Sequence, residues 1–237
     1  TYHMTDPTVF YNKEDLWTFP NEKYAGENMK MEPYYVINQL PGEKDAEFIL
    51  MLPFTPARRN NMISWMAARN DGDRFGELFI YDFPKDKNFL GPSQIESDID
   101  QHGEISQILS LWDQRGSNVI RGNLLVLPVE NSILYIEPVF LQADTQPLPS
   151  LRRIIVHYNN RMAMRPTLEE ALKAVLRKEK AIRIEDVEEV EKEIKEKGNE
   201  ESQTEKESIS DSNEYERYLQ QLQEILDNLK QLQRENN

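Results

Sequence analysis

The stretch NVIRGNLLVLPVENSILYIEPVFLQA, residues 118–143, decides the fold. Residues 118–128 and 132–143 are long runs of Val, Ile, Leu and aromatic residues, separated only by Val129-Glu130-Asn131. Two β-rich runs joined by so short a turn read as a hairpin. Immediately downstream, residues 151–158 and 161–164 flank Asn159-Asn160, a dipeptide that accepts the left-handed backbone of a tight turn. Upstream, residues 33–40 and 47–53 flank Pro41-Gly42-Glu43-Lys44-Asp45 and form another hairpin. Residues 76–83 add a single strand.

Helical signals fall between these hairpins. Residues 7–19 read as a turn into a short helix with Asn12 as a cap, and residues 20–32 have the polar composition of a mobile connector. In residues 60–69, Met62, Trp65, Met66 and Arg69 recur three and four apart, which predicts a helix with one apolar face. Residues 93–101 and 104–114 read as two helices split at Gly103. Ile105, Ile108, Leu109 and Trp112 form the stripe of the second, and Gly116 its C-cap. Thr167 and Glu170 make a capping-box pattern at the start of a last helix. Hairpins with helices inserted between them, without a regular strand–helix–strand alternation, give an α+β class. The expected architecture is a mainly antiparallel sheet built from hairpins, with inserted covering helices.

The composition shifts after Leu176. Residues 1–176 read as the α+β soluble domain and residues 177–212 as a charged flexible linker or partly helical tether. In that tether Val187, Val190 and Ile194 support a surface helix. Residues 213–237 read as a short amphipathic helix, with Tyr215, Leu219, Leu222, Leu226 and Leu229 in a 4-3-4-3 stripe. A helix of this length is marginal alone and needs a surface: its own domain, another part of a longer protein, or a second protomer.

Charge and composition exclude several partners. The chain of 237 residues has net charge −14, and residues 177–237, with 11 basic and 18 acidic side chains, carry half of that excess. Such a chain repels phosphate backbones and anionic lipid, so no nucleic-acid partner is expected. The absence of cysteine removes disulfides, thiolate catalysis and thiolate metal sites. No apolar run reaches 18 residues and no signal peptide is visible, while a start on Thr1 reads as a piece of something longer.

Chemistry-bearing residues are sparse. His3, His102 and His157 have no partner at ligand spacing and read as structural. The run from Asp71 through Asp73 and Gly76 to Asp82 imitates a calcium loop, but Phe75 occupies a ligand position and the closing Glu is missing. The run Asp98, Asp100, Gly103 fails similarly, with Leu109 at the closing position. Glu96, Asp98, Asp100 and Glu104 are close in sequence, yet spacing alone sets no carboxylate separation. Nucleophile-elbow, phosphate-loop and dinucleotide-binding motifs are absent. No catalytic, cofactor-binding or metal residue is therefore assigned, and an enzyme is the less favoured reading. Two constrained stretches, residues 52–62 and 111–123, contain Arg59, Asn60, Arg115, Arg121 and Asn123. These either form an anion- or peptide-binding patch or serve as scaffold, with Asn60 capping a helix and the arginines tying loop carbonyls to carboxylates.

Those two stretches carry a resemblance, together with Asp6-Pro7-Thr8-Val9-Phe10-Tyr11, Met31-Glu32-Pro33-Tyr34-Tyr35 and the segment from Ala163 to Leu172. In this order they resemble the C-terminal region of a family of uncharacterised bacterial multi-pass membrane proteins, number 0182 in the UPF series. The resemblance covers nearly all of residues 2–176 and continues weakly into the tail. It implies an N-terminal membrane part, a place in the cell membrane and a hydrophilic region facing outside the cytoplasm. It brings no activity and no site residue. The expectation is an extracytoplasmic interaction domain whose partners are the rest of its own membrane protein, a second copy or another protein reached through the leucine stripe. The competing readings are a carboxylate hydrolase of envelope polymers and the soluble gate or sensor of a transporter.

Overall fold

In the computed structural model, residues 4–14, 16–113, 117–129, 132–143, 148–183 and 187 are described. The fold is α+β, built on two mainly antiparallel sheets. A short helix α1 (Pro7–Asn12) opens the chain, capped by Asp6, whose carboxylate accepts from the Thr8 amide at 2.7 Å. The expected cap, Asn12, is instead the last helical residue, because Lys13 takes the left-handed conformation that ends the helix.

The first sheet contains β1 (Trp17–Thr18), β4 (Tyr34–Gln39), β5 (Ala46–Pro56), β6 (Ser64–Arg69) and β7 (Leu78–Asp82). The long β5 pairs with β6 along one side, and with β4 and then β1 along the other. The predicted helix over residues 60–69 is thus a strand. Trp65 and Ala67 point into the core, with Arg69 on the same face bound by Glu43 and Glu47, while Met66 and Ala68 lie half-buried on the opposite face. With apolar residues on both faces, the period of two is hidden, and the 3–4 spacing of Met62, Trp65, Met66 and Arg69 is a coincidence. Asn60 consequently caps no helix.

The second sheet has the order β12 (Arg161–Arg165), β11 (Ser150–Tyr158), β10 (Ser132–Ala143), with β8 (Ser117–Arg121) and β9 (Leu125–Val129) sharing the far side of β10. The run at residues 118–128 is therefore one hairpin arm broken at Gly122, whose amide donates to Pro138 O at 2.9 Å. A Cβ at Gly122 would lie 2.8 Å from Pro138 Cγ, so the break is packed as well as hydrogen-bonded. Asn159 and Asn160 turn the β11–β12 hairpin with φ of 48° and 58°.

A single core holds the inner faces of both sheets together with α2 (Pro92–Gln101) and α3 (Gly103–Trp112), through Ile95, Ile99, Ile105 and Ile108. The outer face of the second sheet is covered by α4 (Leu168–Arg177), whose Ala171, Ala174 and Val175 meet Ile136, Val156 and Ala163. Thr167 caps α4 by accepting from the Glu170 amide; the Glu170 carboxylate turns instead to Arg183. Packing continues beyond the helix: Ala181, Ile182 and Val187 are buried in the main core.

The outer face of the first sheet has no such cover among the described residues. Cross-strand partners share a face. One row reads Tyr35, Leu50, Ala68, Leu78; the next reads Leu52, Met66, Ile80. Ile37 stands opposite Phe48 beside them and is 75% exposed. Trp17 and Phe19 cover only the Phe54 end.

Candidate functional site

Among the described residues, titratable groups converge most closely where the second sheet meets α2. Alternation along β10 puts Ile133, Tyr135, Glu137, Val139 and Leu141 on the inner face, so Glu137 enters the core, fully buried. Its register neighbourhood includes Arg121, which lies opposite Val139. Glu96 and Asp100, four apart on α2, point to the same place. Arg121 binds all three. Its Nε donates to Glu137, its Nη1 to Asp100 Oδ1 at 2.6 Å, and its Nη2 to Glu96 and to Glu137 Oε2 at 2.9 Å.

A fourth carboxylate comes from β2 (Asn21–Tyr24), which pairs with β3 (Glu27–Lys30) in residues expected to be a mobile connector. The pairing and four tertiary bonds order it. Glu22 accepts from the Leu124 amide at 3.0 Å and from Asn123 Nδ2 at 3.2 Å, the Lys23 amide donates to Glu96, and the Ala25 amide to Arg121 O at 3.1 Å. Lys23 Nζ pairs with Asp100 at the half-exposed mouth of the cluster.

Four carboxylates thus face two cations, and three of them are at most 2% exposed. Burial, reinforced by the charge of Glu137, pushes the Glu96 carboxyl up to about 8. Burial likewise raises Glu137 and Glu22. For Arg121 burial opposes the charge, but the hydrogen bond and charge of Glu137 outweigh it and hold the guanidinium protonated. At neutral pH the Glu96 proton lowers the negative excess. Because the guanidinium fills the space between the carboxylates, the arrangement ties α2, β8, β10 and the β2–β3 hairpin together and retains a proton.

Of the five residues singled out from sequence, Arg121 and Asn123 belong to this cluster. Arg59 and Asn60 are exposed in the β5–β6 turn, where Asn60 O abuts the start of α2 at Gly91. Arg115 lies outside the described residues. The acids at Glu22 and Glu137 were missed from sequence. Glu137 carried a readable signal, since period-two alternation places it on the apolar face of its strand; Glu22 carried none.

Of the other candidates, His3 lies outside the described residues, and His157 and Asp71 are structural in position. His157 packs edge-on against Tyr135, with burial lowering its pKa so that the ring is neutral. Asp71 accepts from the Phe48 amide at 2.6 Å and so serves the sheet. No group of acidic or histidine side chains arranged to hold a metal ion is found among the described residues. The pocket between the sheets, lined by Trp65, Tyr81, Phe83, Phe89, Pro128 and Lys87 among others, contains no carboxylate or histidine.

Residues 1–112 match the model of the uncharacterised protein family UPF0182. Over this region the chain belongs to the UPF0182 family. It is 55% identical over 175 residues to a UPF0182 protein of Trichodesmium erythraeum, 56% over 174 to one of Desulforamulus reducens and 56% over 177 to one of Salinibacter ruber. These alignments cover 73–74% of the chain but only 17–19% of the relatives, so the chain spans under a fifth of their length. No solved structure matches the chain. No helix among the described residues is long and apolar enough to cross a membrane.

Proposed function

We propose that this region of the UPF0182 protein is a non-catalytic interaction domain of a membrane protein, standing outside the cytoplasm. The observation that carries the reading is the apolar outer face of the first sheet. Tyr35, Ile37, Leu78 and Ile80 are each more than half exposed on it. Side chains of this size offer on the order of 100 Å² each at such exposure, so the face totals roughly 400 Å², the size of the largest patches that soluble monomers leave in water, which are often functional. A face this large calls for a partner. The relatives' much greater length supports a partner within the same protein. The tightly tied acidic cluster supports a scaffold role for the residues that a hydrolase would need free.

Sidedness is tested by labelling. The chain has no cysteine, so Gln107→Cys on the exposed side of α3 introduces the only thiol of this region, and the unsubstituted full-length protein gives the labelling background. In intact cells making the full-length protein, a membrane-impermeant maleimide should label it to the same extent as after lysis. Labelling only after lysis would place the domain on the cytoplasmic side and overturn that part of the reading.

A further inference from the structure

We infer that the apolar face of the first sheet is the docking site of this chain's own residues 215–232. The inference rests on the interaction-domain reading and names the occupant. The molecule already solves the same problem once: α4, with small apolar residues in its stripe, covers the outer face of the second sheet. The first sheet lacks the equivalent among the described residues, while the sequence beyond them holds a stripe suited to supply it. Wound as a helix, the sequence would put Tyr215, Leu219, Leu222, Leu226 and Leu229 on one side and Arg217, Gln221, Glu224 and Asn228 on the other.

Dimensions agree. A helix from Tyr215 to Leu229 is about 22 Å long at 1.5 Å per residue. Four strands spaced about 4.8 Å apart and paired over five to six residues present a face roughly 14 by 18 Å, whose diagonal is about 23 Å. The last described residue, Val187, is fixed in the core, and 27 residues separate it from Tyr215. A coil of that length spans about 29 Å root-mean-square, against a radius of gyration near 16 Å, or a radius of about 21 Å, for a domain of this size. The segment therefore reaches any face of its own domain, at millimolar effective concentration.

Charge sharpens the case. Residues 1–176 and 177–237 each carry −7, so long-range electrostatics resist the approach and the contact has to be apolar. Added salt screens that repulsion, and docking should strengthen with it.

The test uses the whole 237-residue chain with two introduced cysteines, Leu78→Cys on the face and Leu222→Cys in the stripe, oxidised at low protein concentration. The expected product is a crosslinked monomer, at least tenfold more abundant than from the control pair Gln107→Cys with Leu222→Cys, and more abundant at 0.5 M than at 0.05 M NaCl. A crosslinked dimer would overturn the inference in favour of a second copy. Absence of any crosslink would overturn it in favour of the remainder of the longer protein, and the interaction-domain reading would survive. That reading has its own arm: Tyr35→Ser, Ile37→Ser and Ile80→Ser together should leave the fold unchanged by circular dichroism. If the triple variant also changes neither crosslinking nor assembly of the full-length protein, the face has no occupant and both readings fail.

Discussion

Arg121 is bordered by more negative charge than it can neutralise, and that imbalance has measurable consequences. Removing it in Arg121→Met leaves the Glu137 carboxylate buried without a counter-charge and Glu96 without its hydrogen-bond donor, which should cost about 3–5 kcal/mol at neutral pH by urea denaturation. At pH 5 the loss should be smaller, since protons take over part of the guanidinium's role. The wild-type protein should show the related pH trend. An unfolded Glu titrates near 4.5 and native Glu96 near 8, so between these values the native state holds a proton the unfolded state has released. Its contribution is fully present below about pH 4.5 and is lost as pH rises through about 8. The melting temperature should therefore fall by about 3–6 °C between pH 5.5 and 8.5, and Glu96→Gln should reduce that fall, the raised Glu22 and Glu137 supplying the remainder. Glu43 and Glu169, held low by Arg69 and Lys173, act in the opposite sense only below the usual carboxylate range, outside this window. A melting temperature that rises from pH 5.5 to 8.5 would contradict the assignment.

Among the elements, two glycines beside helix starts make opposite predictions. Gly91, which precedes α2, has an ordinary φ, but a Cβ there would lie 1.7 Å from Asn60 O. Gly91→Ala must push the β5–β6 turn away from the helix and should cost about 3 kcal/mol or more. Gly103, the first residue of α3, has nothing within 4 Å of the same position, and Gly103→Ala should stabilise by about 0.5–1 kcal/mol. Equal effects in chemical denaturation would show that the packing of Asn60 on Gly91 is wrong. Turns also explain which elements could be read from sequence. Hairpins closed by Asn159-Asn160 and by Pro41-Gly42 declare themselves through turn chemistry, and α4 through Thr167. β6 could not be read, because a strand apolar on both faces has no polar phase and its spacing mimics a helix. The β2–β3 hairpin was hidden for the opposite reason: its order comes from long-range bonds to α2 and β8, which no local pattern records.

At the scale of the molecule, the same limit applies to where the packed unit ends. Composition places the boundary near Leu176, where the charged run begins, yet residues past that point are built into the core. Arg165, 1% exposed, donates to Lys180 O at 2.8 Å and Ala181 O at 2.6 Å, and the Met164 amide pairs with Ala181 O at 2.9 Å. Ile182 and Val187 are each 1% exposed. Ending the chain after Leu176 would strip carbonyl partners from a buried guanidinium and open the core to water. Burial of Ile and Val side chains is worth about 1.5–3 kcal/mol each. The loss of about 5 kcal/mol is a large part of a typical 5–15 kcal/mol stability. A chain of residues 1–176 should accordingly unfold at a much lower urea concentration than one of residues 1–190. Coincident midpoints for the two would mean that residues 177–190 add nothing to the packed unit. The chain of residues 1–190 should in turn fall slightly below the full 237 residues if the leucine stripe docks on its own sheet. Separate transitions for these three lengths would resolve, within one titration series, the stabilising roles of the core segment and of the stripe.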